Sequence, residues 1–145
     1  MSGIVFDTSV YITAFRQGDS ILDLRQAVRR SDGKSYPVWF SSVVLSELLI
    51  GTNTKKDRKK LLDTAKSFVK VKRILIPNLS DWSLTGDVLA LIGLKYGYEQ
   101  VGRARMTNDA FIAMSVARNG LTVLTKNAAD FIKIAEFRQF NWEEI

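Results

Sequence analysis

The sequence contains neither cysteine nor histidine. That absence removes thiolate nucleophiles, disulfides, Ser-His-Asp relays, zinc fingers and His-ligated haem. Any catalysis falls to carboxylates, hydroxyls, Lys, Arg or Tyr. Any metal site has to be built from oxygen, which favours Mg²⁺ or Mn²⁺. Proline is scarce: Pro37 and Pro77 each sit at the edge of an apolar run. No run approaches the roughly 18–20 apolar residues that span a bilayer. Met1–Ser2–Gly3 lacks the basic start of a secretory signal, so a soluble cytoplasmic protein is expected. Internal repeats, low-complexity tracts and linkers are also missing. What remains is a chain of 145 residues, 46% hydrophobic and 25% charged. That fits a single domain over 1–145 with one core.

The charge is unevenly placed. The chain carries +6 overall, yet segment 55–73 alone carries nine basic residues against Asp57 and Asp63, a net +7 that leaves the remainder at −1. Such a strip can steer a polyanion or an acidic partner; it can equally be an ordinary solvated helix face. Leu61, Leu62, Ala65, Phe68 and Val69 recur at helical period within it.

Elsewhere short apolar runs alternate with helical patterns. Gly3–Phe6 reads as a strand that stops at Asp7, and Thr8 and Ser9 can cap a helix carrying Val10, Ile12 and Phe15. Gly18–Asp19–Ser20 is a turn and cap before a helix with Ile21, Leu24 and Val28, broken at Ser31–Asp32–Gly33. Val38–Phe40 is a second strand, capped by Ser41 or Ser42 into a helix over Val43–Ile50 that ends at Gly51. Ile74–Ile76 reads as a strand. Ser80 or Asp81 caps a helix to about Tyr96, with Leu84, Val88, Leu91 and Ile92 on one face. Asn108 caps a helix through Arg118, ended by Gly120. Leu121–Leu124 is a strand, Asn127–Asp130 leads into a short helix, and Phe137–Phe140 is the expected edge strand. The alternation predicts an α/β fold with a mainly parallel sheet and helices on both faces. Ligands then bind beyond the carboxyl ends of the strands.

Four acids stand near that edge. Asp7 directly follows the first strand; by itself it is a turn or cap aspartate. Glu47 shares a helix face with Val43, Ile50 and Gly51. A carboxylate there needs a cation or donors, so an ion pair to Arg and a metal ligand both explain it. Asp109 opens the Asn108 helix on the stripe of Ile112, Ala113 and Val116; the helix dipole alone would favour a first-turn acid. Asp130 follows Leu121–Leu124 and reads by itself as a helix-start acid. Taken together, the four can converge, repel one another and be neutralised by a divalent cation.

Four segments then carry a resemblance to the PIN-domain family: Val5-Phe6-Asp7-Thr8-Ser9, Ser46-Glu47-Leu48-Leu49-Ile50-Gly51, Asn108-Asp109-Ala110-Phe111-Ile112-Ala113, and Leu124-Thr125-Lys126-Asn127-Ala128-Ala129-Asp130-Phe131. Within that family the chain is most similar to the ribonuclease toxins of VapBC-type toxin–antitoxin modules. The resemblance implies a three-layer α/β/α fold and a Mg²⁺- or Mn²⁺-dependent endoribonuclease. It also implies a homodimer neutralised by a cognate antitoxin. Asp7, Glu47 and Asp109 match the family's core acids as catalytic, metal-holding residues. The fourth acid is assigned to Asp130, with Asn127 as a water-mediated contact. Ser9 and Thr125 match supporting hydroxyls, and Arg103, Arg105 and Lys126 are candidates for RNA contact.

Other readings fit less well. Phosphoacceptor receivers need an early acidic pair, which Ser2–Gly3 does not supply. Haloacid-dehalogenase-like phosphatases need a second Asp where Ser9 stands. A PIN nuclease of RNA processing, or a PIN-like adaptor that binds without cutting, shares the same residues.

Overall fold

A computed structural model of the protein describes residues 3–18 and 36–145. The sheet has five strands: β1 (Ile4–Phe6), β2 (Val38–Ser41), β3 (Ile74–Leu75), β4 (Thr122–Thr125) and β5 (Asn141–Glu144). Their order is β3-β2-β1-β4-β5, and every pairing is parallel. Ile4 lies opposite Val38 on one side and Thr122 on the other. Helices cover both faces, giving the expected three-layer α/β/α architecture. The helices are α1 (Thr8–Arg16), α2 (Ser42–Ile50), α3 (Lys55–Lys70), α4 (Leu79–Tyr96), α5 (Tyr98–Val101), α6 (Ala104–Arg118) and α7 (Ala129–Ala135). Among the described residues no helix is long and apolar enough to cross a membrane. The helix expected around Ile21, Leu24 and Val28, with its cap and its breaker, lies outside the described residues.

β1 and β4 are buried along their whole length because each is flanked by strands on both edges and by helices on both faces. That is why β1 reads as an unbroken apolar run and why even the two threonines of β4 are buried. Tyr11 of α1 wedges edge-on between Phe6 and Phe40, with ring centroids 5.8 and 5.5 Å away. α6 is the central helix: Asp109 through Val116 are all buried, so it has no solvent stripe over two turns. α3 is amphipathic. It docks through Leu61, Ala65 and Phe68, and Phe68 stacks on Phe40 of β2 at 5.2 Å.

Several boundaries differ from the sequence reading. α4 is capped by Asn78, whose side chain accepts from the Asp81 N–H at 3.0 Å while Asp81 accepts from the Asn78 N–H at 3.0 Å. This reciprocal box satisfies two orphan donors. It leaves Asp81 as its third residue rather than its cap. Asp81 is fully buried and answered by Arg118 at 2.9 Å. α6 begins at Ala104, a turn before Asn108, so Asp109 lies in the helix interior and the macrodipole does not explain it. Gly120, at φ +64°, lets the chain leave α6 and enter β4. The edge strand is Asn141–Glu144, not Phe137–Phe140, because Phe140 turns inward onto Phe131 at 6.0 Å. The stripe of Leu84, Val88, Leu91 and Ile92 is mostly inward, with Val88 and Ile92 in the core. The large apolar side chains that α4 exposes are Leu79 (82%), Trp82 (61%), Leu91 (43%) and Leu94 (73%).

Candidate active site

In an all-parallel sheet every strand ends on the same edge. Here the chain moves outward from β1 to β2 and β3 on one side and returns to β4 and β5 on the other. The strand order therefore reverses between β1 and β4, where open α/β sheets hold their ligands. Asp7 ends β1 at that crevice and Thr125 ends β4.

Asp7 is buried and rigidly held. It caps α1, its Oδ1 accepting from the Val10 N–H at 3.3 Å. Ser9 Oγ donates to Oδ1 at 2.5 Å, and Thr125 Oγ1 donates to Oδ2 at 2.5 Å. Each hydroxyl is itself oriented by the loop after β4: the Lys126 N–H donates to Ser9 Oγ at 3.0 Å and the Asn127 N–H to Thr125 Oγ1 at 2.9 Å. Two short relays thus run from one loop to one carboxylate. Burial raises the Asp7 pKa, and the donated hydrogen bonds from Ser9, Thr125 and Val10 oppose the rise.

Glu47 rides on α2, which starts where β2 ends. It is half-buried rather than sunk in a core stripe. Val44 and Leu48 take the inward face, while Ile50, once read as its apolar neighbour, is 82% exposed. The donor that Glu47 needs is Thr8, whose Oγ1 gives a hydrogen bond to Oε1 at 2.8 Å. The sequence had marked Thr8 only as a helix cap. Its place beside Asp7 and Ser9, all at one helix start, was the signal that it belongs to the site.

Asp109 enters from α6 and is buried. Its pKa is pushed up to about 9, chiefly by burial, then by its hydrogen bond with Asp130 and by the charges of Asp7, Asp130 and Glu47. A pKa near 9 leaves the Asp109 carboxyl protonated at neutral pH. Asp109 is thus coupled electrostatically to the other three sequence-selected acids, Asp7, Asp130 and Glu47. Among the described residues, no three carboxylates are already drawn together as a metal-holding group. The donor set fits a hard divalent cation in its chemistry, being oxygen-only and self-repelling. It does not present a preformed cage.

Arg105, on the outer face of α6, reaches Asn127. With the amide oxygen turned towards it, Asn127 accepts from both guanidinium nitrogens, from Nη1 at 3.1 Å. Asn127 is thus tied to a cation on the rim, one residue from Lys126, which is exposed. Arg103 is also exposed and sits at the N-cap of α6, where its side chain forms no cap hydrogen bond.

The comparisons agree with this architecture. The PIN domain family profile matches residues 4–137. No curated protein is significantly similar in sequence. Among solved structures, a DNA-bound VapBC from Salmonella typhimurium aligns at 21% identity and TM-score 0.66, covering 99% of this chain and 98% of that one. FitAcB from Neisseria gonorrhoeae aligns at 18% identity and TM-score 0.63, covering 96% and 95%. VapBC-5 from Mycobacterium tuberculosis, described as a member of the VapBC family of toxin-antitoxin systems, aligns at 25% identity and TM-score 0.55, covering 100% and 98%. With a profile match over residues 4–137 of its 145, the chain belongs to the PIN domain family.

Proposed function

We propose that the protein is a divalent-metal-dependent endoribonuclease, the toxin of a toxin–antitoxin pair. The observation that carries this reading is Asp109. A fold that buries a carboxyl among Asp7, Asp130 and Glu47 accepts a cost that only a positive ligand or a proton relieves. The similarity to VapBC and FitAB complexes supports the toxin reading and an antitoxin protein as partner.

Asp7, Glu47, Asp109 and Asp130 would hold Mg²⁺ or Mn²⁺. Once bound, the cation supplies neutralisation of the cluster and an acidified water for attack on phosphorus. The chain's own residues do the rest. Ser9 and Thr125 lock both oxygens of Asp7, so its position is set before substrate arrives. Thr8 fixes one oxygen of Glu47 and leaves the other for the site. Asp109, protonated near neutral pH, would have to give up that proton to hold the cation, which would make binding proton-coupled. Arg105, held by Asn127, together with Lys126 and Arg103, faces the polyanionic strand. With no histidine in the chain, a leaving oxygen takes its proton from water or a carboxyl.

The test is cleavage of a mixture of structured RNAs with Mn²⁺, Mg²⁺ or EDTA, comparing wild type with Asp7→Asn. Metal-dependent cutting that vanishes in the variant supports the reading. Equal cutting by both assigns the activity elsewhere. No cutting together with no Mn²⁺ binding rejects the carboxylate site.

A further inference from the structure

α3 holds the chain's positive charge in a form that the catalytic site does not use. Seven Lys or Arg residues lie on it, against Asp57 and Asp63. All seven are exposed. Neither of the ion pairs among the described residues, Lys95–Glu136 and Arg118–Asp81, involves a cation of this helix. At 100° per residue Lys55, Lys59, Lys66 and Lys70 fall within one sector of about 60°, on the side away from Leu61, Ala65 and Phe68. At 1.5 Å per residue that row runs for about 22 Å. It starts at the α3 N-terminus, four residues beyond Gly51, which closes the helix carrying Glu47.

We propose that this lysine row is an exosite for the phosphodiester backbone of single-stranded RNA flanking the scissile bond. The proposal rests on the reading of the carboxylate site as RNA-cleaving. Three observations favour RNA over an acidic protein. All four positions of the row are lysine, a residue depleted at protein interfaces, and the exposed apolar side chains beside it, Leu62 and Val69, are aliphatic with no aromatic anchor among them. Lysine is a rotatable point charge that suits phosphates without demanding bidentate geometry. The cations are uncompensated by carboxylates within the described residues and stand in line, as a strand's charges do. With nothing on the row to stack on or read a base, it sets affinity and salt dependence, not sequence choice.

The experiment measures poly(U) binding by fluorescence anisotropy in EDTA, across a salt series. It compares Asp7→Asn with Asp7→Asn carrying Lys55→Gln, Lys59→Gln, Lys66→Gln and Lys70→Gln. Binding is thereby read without turnover, so failure of the nuclease reading and failure of the exosite are separate results. The slope of log affinity against log salt should fall in magnitude by up to about 3, at about 0.7 per phosphate contact on a single strand. Affinity near 0.1 M salt should drop at least about tenfold. On an otherwise wild-type background the four substitutions should raise KM for long RNA and leave cleavage of a short oligonucleotide unchanged. An unchanged slope and affinity overturns the proposal. So does binding of poly-L-glutamate in place of poly(U), which would assign the row to an acidic protein. All four positions are exposed, so a thermal midpoint within a few degrees of the parent is expected.

Discussion

Replacing Asp109 by Asn should stabilise the metal-free protein while destroying its site. In the folded chain the carboxyl is held near 9, against an ordinary value of 3.8. Between those two values the folded state binds a proton that the unfolded state has lost, so stability falls as pH rises from about 4 to about 9. At pH 7 the carboxyl keeps its proton across about three pH units. At 1.36 kcal/mol per unit that is a penalty of about 4 kcal/mol relative to a neutral group of the same shape. Asn is such a group, and it can still donate to Asp130. The variant should therefore gain of the order of 2–4 kcal/mol at neutral pH in EDTA, with the gain growing up to about pH 9 and vanishing near pH 4. For a domain of this size that is about 5–15 °C in thermal midpoint. The assay is differential scanning fluorimetry from pH 4.5 to 9 in EDTA, repeated with millimolar Mn²⁺. Metal should raise the wild-type midpoint, as any ligand of the native state does, and should barely move the variant. A variant that melts below wild type at pH 8 in EDTA would refute the idea that Asp109 is held at a cost for the sake of a cation.

Three further outcomes follow from particular contacts. Thr8→Val removes the donor to Glu47 Oε1; it should weaken Mn²⁺ binding about tenfold or more by titration calorimetry, while changing urea stability by only about 1 kcal/mol. Arg118→Ala strands the fully buried Asp81; it should cost about 3 kcal/mol in urea unfolding, less than a wholly buried pair because Arg118 is partly exposed, and leave Mn²⁺ affinity intact. If the chain forms the homodimer that the resemblance implies, the exposed α4 side chains Leu79, Trp82, Leu91 and Leu94 offer one apolar surface for it. Leu94→Glu should then yield a monomer by light scattering, and a wild type already monomeric at micromolar concentration would end that assignment.

The sheet was legible because it obeys short-range rules. Ile4–Phe6 and Leu121–Leu124, the latter apolar but for Thr122, are too short for helices, and Asp7 and Thr125 follow them at the carboxyl edge of the sheet. What sequence could not supply was partnership across the fold. The Asn78–Asp81 box was hidden because Ser80 and Asp81 are themselves good caps; which one acts depends on the route of the chain out of β3. Phe137–Phe140 has strand composition, yet Phe140 is drawn inward by Phe131, which moves the edge strand on to Asn141. Glu47 looked buried because Ile50 and Val43 share its side of the helix. Ile50 faces solvent, so the apolar pattern there does not mark the core. The donor that answers Glu47 sits 39 residues away in sequence, beyond any periodicity argument.

Asp109 shows why the misread boundary mattered. Placed in a first turn, it would have been favoured by the helix dipole and would have needed no further cause. One turn deeper, within a helix whose inner residues are all buried, it contradicts its surroundings. Local preference and global fold agree along nearly all of α6, and the residue at which they part is the one whose pKa burial and its acidic neighbours push up to about 9. Such conflicts are costly and persist where a site requires them. A cluster left open, with Asp7 and Glu47 tied down by hydroxyls and Asp109 held neutral, is compatible with folding before its cation arrives. The hydroxyls hold Asp7 and Glu47 in place, and the proton on Asp109 relieves the crowding of carboxyl groups around it. If the site takes the divalent ion proposed for it, loading would exchange that proton for the ion, and affinity should rise with pH up to about 9.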